Sequence, residues 1–297
     1  MFTGLSAFPI TPFHNERIDF KALEKLITNL VSANVDSICA MGSTGLYPYL
    51  NREELTDVAK ATVELAEHIP VMAGIGSLRT QDVLKNAEAV QQAGASAVLL
   101  APVSYHKLND CEVYALFEKV TSAISVPMCV YENPGATNFT FSNELYGEIT
   151  KLPNVAAIKI PGMPFETAAG DEKLAQLRAL LPAHVAIGVS ADKFAAAGMA
   201  AGCDLWLSVL GGLFPNTVQK LLNTANNQTS QEAMNESAHF DELWQLFARN
   251  RGGMRVMATA ADILGFTEGN CLPEPLKPLN AEDKNLLANL IEQGLLD

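Results

Sequence analysis

Residues 127–131, Pro-Met-Cys-Val-Tyr, and 155–160, Val-Ala-Ala-Ile-Lys-Ile, are short apolar runs that each carry one reactive side chain near the C-terminal end. Neither run alternates apolar with polar residues, which is how strands buried on both faces of a parallel sheet read. Six further runs share this character: Leu5–Phe8, Ser37–Ala40, Val71–Gly74, Ala97–Ala101, Ala186–Val189 and Leu205–Val209. Helix-length amphipathic segments separate the eight. Asp19 opens one in which Phe20, Leu23, Leu26, Ile27 and Leu30 recur at helical spacing. Asn51 and Asn109 each precede a Glu by three residues, the spacing of a capping box. Gly94 and Gly202 stand where helices end before a strand. Eight evenly spaced β/α units favour closure over a doubly wound sheet, so a (β/α)8 barrel is expected.

Beyond Leu213 the strand signals cease. Thr217–Asn226, Gln231–Arg249, Met254–Leu264 and Ala281–Gly294 read as helices, with the polar run 226–230 between the first two and Pro273, Pro275 and Pro278 breaking the last connection. The expected organisation is a barrel over 1–226 that carries the site, and a helical extension over 227–297 packed on it.

The 297 residues hold 20 Lys and Arg against 33 Asp and Glu, a formal charge of −13. Such a field repels a phosphate backbone, so nucleic acid is not an expected partner, and no polybasic patch suggests a membrane surface. There is no apolar run long enough to cross a bilayer. The five cysteines lack any CxxC spacing, and the five histidines lack HExxH or two-His-one-carboxylate spacing. No metal is expected. The first residues show no basic, then apolar, leader, and a cytoplasmic location is expected.

Lys159 is the unusual residue, because an ammonium in an apolar strand is costly to bury without a partner. A neutral amine there can attack a ketone and form a Schiff base; a lysine that snorkels to solvent is the plainer alternative. At the C-terminal end of a barrel strand it stands where barrel enzymes place their chemistry. Tyr131 ends the preceding strand and could shuttle protons over Lys159, or simply pack the barrel mouth. Gly42-Ser43-Thr44-Gly45 follows the second strand and could cradle a carboxylate, or be a plain turn. Gly74-Ile75-Gly76-Ser77-Leu78-Arg79 imitates a dinucleotide fingerprint, but Arg79 replaces its third glycine.

Taken in order, Phe8-Pro9-Ile10-Thr11-Pro12-Phe13, Gly42-Ser43-Thr44-Gly45, Ala101-Pro102-Val103-Ser104-Tyr105, Tyr131-Glu132-Asn133-Pro134 and Ile158-Lys159 resemble the dihydrodipicolinate synthase / N-acetylneuraminate lyase family over essentially the whole chain. The resemblance implies a homotetramer, built as a dimer of dimers, that works on pyruvate or another 2-oxo acid through a lysine imine without metal or organic cofactor. It makes Lys159 the Schiff-base lysine, Tyr131 the proton shuttle, Ser43, Thr44 and Gly45 the carboxylate site, and Thr44 a relay member. Tyr105 becomes the tyrosine that reaches into a neighbouring subunit's relay, although Val103 and Ser104 occupy positions where many relatives have aromatics. Ser190 and Leu207 are further expected substrate contacts, and Asn133, Thr137, Asp192 and Ser208 could bind a hydroxylated acid. The lysine-pathway synthases carry an Arg five residues after the catalytic Tyr; Ala136 stands there, which argues against their second substrate. An aldolase or lyase of 2-oxo acids is thus the expected function. A dihydrodipicolinate synthase and a non-catalytic 2-oxo acid binding protein are the alternatives.

Overall fold

The computed structural model describes residues 1–297. Eight parallel strands close into a barrel: β1 (Gly4–Ala7), β2 (Ser37–Ala40), β3 (Val71–Gly74), β4 (Ala97–Leu100), β5 (Met128–Tyr131), β6 (Val155–Ile160), β7 (Ala186–Val189) and β8 (Leu205–Ser208). Each pairs with its sequence neighbours, and β1 closes the ring by pairing with both β2 and β8. All eight apolar runs therefore became strands. A two-residue-per-strand hairpin, Phe13–His14 with Arg17–Ile18, covers the approach to the first helix and carries no sequence signal of its own.

Alternate strand residues face inward. Cys39, Met72, Leu99, Cys129, Tyr131, Ala157 and Leu207 share one interior cluster, while Ile38, Val98, Val130, Ile158 and Trp206 face the helices. On β6 the alternation is reset. Met128 pairs with Val155 and Cys129 with Ala157, so Ala156 is an extra, unpaired residue. Val155 faces out, and uninterrupted alternation would have pointed Lys159 out too, because a one-residue slip exchanges the faces of a strand. The bulge at Ala156 turns Ala157 and Lys159 to the interior.

Barrel helices α1 (Phe20–Ser32), α2 (Arg52–Leu65), α3 (Thr80–Gln92), α4 (Asp110–Thr121), α5 (Asn143–Ile149), α6 (Ala168–Leu180), α7 (Asp192–Ala200) and α8 (Pro215–Ala225) follow the strands in turn. Asp19 caps α1, and both Asn capping boxes are closed in both directions. Gly94 and Gly202 take left-handed backbone at the helix ends.

Four more helices follow: α9 (Ser230–Ser237), α10 (Asp241–Arg249), α11 (Met254–Ile263) and α12 (Ala281–Glu292). The continuous helix expected over Gln231–Arg249 is broken by a tight turn at Ala238–Phe240. The cause is local. The Trp244 indole N–H donates to the Ser237 carbonyl at 2.8 Å, and the Ser237 hydroxyl donates to the Lys193 carbonyl at 2.7 Å. These bonds pin the end of α9 to the first turn of α7. Trp244, Val256, Leu287 and Leu290 belong to the same apolar cluster as the helix-facing barrel residues. The Phe13 N–H also donates to the Cys271 carbonyl at 2.9 Å.

Asp192 joins the top of β7 to β8. Its carboxylate accepts from the Trp206 indole at 2.9 Å, the Ser208 hydroxyl at 2.5 Å and the Leu210 N–H at 3.1 Å. Burial pushes its pKa up, and the three hydrogen bonds and Lys159 pull it back. Asp192→Ala orphans three buried donors at about 1–3 kcal/mol each, so a loss of roughly 3 kcal/mol or more is expected. Denaturant unfolding would measure it, and a loss under about 1 kcal/mol would contradict this accounting.

Candidate active site

The register that pairs Tyr131 with Lys159 sets both at the C-terminal mouth of the barrel on adjacent strands. The Lys159 side chain is 3% exposed. Its Nζ lies 4.0 Å from the Tyr131 ring centroid and 4.1 Å from that of Phe8, and Lys159 joins none of the chain's ion pairs. Two aromatic faces sandwich the amine where a carboxylate would normally stand. Cys39 and Cys129 lie below it, and burial pushes Cys129 up to about 12 although Lys159 draws it down, so this thiol supplies no countercharge.

The loop after β2 is shaped to reach this point. Met41 and Leu46 adopt left-handed backbone, and a Cβ on Gly45 would come within 2.8 Å of the Met41 backbone. The Thr11 hydroxyl donates to the Gly45 carbonyl at 2.7 Å and holds the turn. Ser43 Oγ is then 3.2 Å from the Tyr131 hydroxyl. Asn133 Nδ2 donates to both, at 2.9 Å to Tyr131 and 3.2 Å to Ser43. One amide thus fills an acceptor site on each hydroxyl. If one hydroxyl proton bridges the pair, the other is left to point into the cavity. That is an arrangement for passing a proton.

Glu132 points the opposite way. Its carboxylate accepts from the Tyr146 hydroxyl at 2.7 Å and the Phe141 N–H at 3.1 Å, anchoring the β5 terminus to the following loop.

A cavity of about 490 Å³ opens above Lys159. Ser43, Thr44, Tyr131, Asn133, Gly135 and Ala136 line it. The segment from the α10–α11 loop into the start of α11 also lines it, through Arg251, Gly252, Gly253 and Met254. Nothing in the sequence pointed to that segment; two glycines after an Arg between helices carry no spacing rule that predicts which cavity they will border.

The other expected contacts lie elsewhere. The Ser190 hydroxyl donates to the Ile160 carbonyl at 2.9 Å, and Leu207 fills the barrel interior against Gly188, where a Cβ would come within 2.3 Å of it. Neither lines the cavity. Thr137 bonds the Asn133 carbonyl, and Asp192 and Ser208 bond each other. Of those polar candidates only Asn133 reaches the cavity. Tyr105 is 86% exposed, edge-on to His106, and outside it. No three His, Cys, Asp or Glu side chains assemble as metal ligands. No helix is long and apolar enough to cross a membrane.

The model of the dihydrodipicolinate synthetase family matches residues 1–294. The chain belongs to that family. Among its relatives, the 4-hydroxy-tetrahydrodipicolinate synthase of Bacillus velezensis is 28% identical over 295 residues, 98% of each chain. A crystal structure of dihydrodipicolinate synthase from Agrobacterium tumefaciens superposes with a TM-score of 0.91 at 40% identity, covering 98% of this chain and 97% of that one. The Acinetobacter baumannii synthase, solved with pyruvate, gives 0.88 at 25% identity with both chains fully covered. Membership makes the chain a lyase of the class I aldolase type.

Within this family member Glu132 also generates a pH dependence. Burial raises its pKa above the ordinary 4.5, against the pull of its hydrogen bonds. The folded state therefore holds the proton more tightly than the unfolded one. Its contribution to stability is full below 4.5 and is lost as pH rises through the folded value. Glu132→Gln removes that loss, so its stability relative to the parent should improve as pH is raised from about 4 toward neutrality. Denaturation midpoints for both proteins across this range test it; a gap independent of pH would contradict the burial argument.

Proposed function

We propose that Lys159 attacks the 2-oxo group of pyruvate or a close relative and that the resulting imine drives aldol-type cleavage or condensation. The amine adds to C2, the carbinolamine expels water, and the protonated imine accepts the electron pair released at C3. That enamine then bonds to a carbonyl electrophile, or arises when a C3–C4 bond breaks. The imine is itself the electron sink, so this reading needs no further cofactor. The buried, unpaired Lys159 amine at the floor of a polar-walled cavity is the observation that carries it.

Tyr131 would donate and recover the protons that these steps require, with its hydroxyl oriented by Asn133 and coupled to Ser43. Ser43, Thr44 and the backbone of Gly45 would hold the substrate's C1 carboxylate. Tyr105, exposed on its loop, would meet a second copy and complete the neighbour's relay within a tetramer. The five free thiols accord with a reducing compartment. Ala136 lines the cavity where the lysine-pathway synthases carry arginine, which favours a substrate other than theirs.

Borohydride reduction in the presence of pyruvate should leave a single adduct on Lys159, identified by intact mass and peptide mapping, and none on Lys159→Ala. Tyr131→Phe should slow adduct formation by roughly 10²-fold or more. An adduct on another residue, or unchanged kinetics in Tyr131→Phe, would overturn the assignment.

A further inference from the structure

The cavity above Lys159 differs in charge from the rest of the molecule. The chain carries a net −13, yet the cavity lining holds two cations, Lys159 and Arg251, and no carboxylate. A site that binds a monoanionic 2-oxo acid needs only the lysine and the Ser43–Gly45 loop. The second cation has no ion-pair partner, whereas Arg249, two residues away, is paired with Asp283.

The backbone commits Arg251 to this place. It adopts left-handed geometry with φ of 59°, its N–H donates to the Ala248 carbonyl, and the Gly252 N–H donates to the Phe247 carbonyl at 2.8 Å. Gly253 lets the loop lie against the barrel, since a Cβ there would come within 2.7 Å of both Val209 and Phe247. Met254 also begins α11, whose cap residue is Gly253 and whose N-terminus no side chain caps. Its partial positive charge adds to that of the guanidinium on the same wall. Lys159, 3% exposed, lines the same cavity.

We infer that the substrate is a dianion, a 2-oxo acid whose far end bears a second carboxylate, and that Arg251 is the residue that selects it. This rests on the imine reading above. A guanidinium from the α10–α11 loop takes over the charge that Ala136 lacks in the same cavity. The distal carboxylate would accept paired N–H bonds from Arg251 while Lys159 holds C2.

The probes are 2-oxoglutarate and 2-oxopentanoate, of equal chain length and differing in the terminal carboxylate. Half-saturating concentrations for borohydride trapping on Lys159 would be measured for the full chain, Arg251→Ala and Arg251→Lys, with thermal melts to confirm folding. The parent should favour 2-oxoglutarate by about tenfold or more, Arg251→Ala should lose that preference, and Arg251→Lys should retain part of it. A parent without the preference, or an Arg251→Ala protein that keeps it, overturns the inference while pyruvate trapping on Lys159 leaves the imine reading standing. If no 2-oxo acid is trapped on Lys159 in the parent, the imine reading fails and this inference falls with it.

Discussion

An amine buried at the mouth of the barrel without a carboxylate beside it governs the rest of the site. Removing a charge from water costs several kcal/mol in a real protein interior, and the two ring faces over Lys159 return about 2 kcal/mol when desolvated. The nearby groups that could have compensated are occupied or neutral. Asp192 is spent on Trp206, Ser208 and Leu210, and the Cys129 thiol is held protonated by burial. The amine is therefore left for a ligand to satisfy, and a 2-oxo acid supplies both an anion and an electrophilic carbon.

Strands and loops divide the work around that point. The barrel fixes Tyr131 and Lys159 opposite each other by backbone register, which tolerates little movement. The loops after β2 and β5 then add the adjustable polar groups, Ser43, Thr44 and Asn133. Hydrogen bonds below the site secure those loops: Thr11 to Gly45 for the first, and Glu132 with Tyr146 and Phe141 for the second. The chain beyond α8 contributes the remaining wall of the cavity. The C-terminal helices thus border the cavity as well as the apolar core.

Family likeness extends from one end of the chain to the other, yet Ala136 stands where the lysine-pathway synthases carry arginine. Ala136 lines the cavity beside Tyr131 and Asn133, and the Arg251–Met254 segment borders the same space. Strand ends hold Tyr131 and Lys159, and loops contribute the other polar groups that line the cavity.

Eight strands, their helices, the caps at Asp19, Asn51 and Asn109, and the pairing of Tyr131 with Lys159 could all be read from the chain. The hydrogen bonds of a cap, and the periodicity of a helix or strand, connect residues a few positions apart. The break at Ala238–Phe240 escaped that reading because it depends on the Trp244 indole and the Lys193 carbonyl. The Asp192–Ser208 bond, the bulge at Ala156 and the cavity-facing place of Arg251 escaped it too. In a strand buried on both faces every residue is apolar, so the sequence carries no phase to say which side Lys159 takes. Which loop faces the amine is settled only when the barrel closes and α10 and α11 pack upon it, bringing together residues that no local pattern connects.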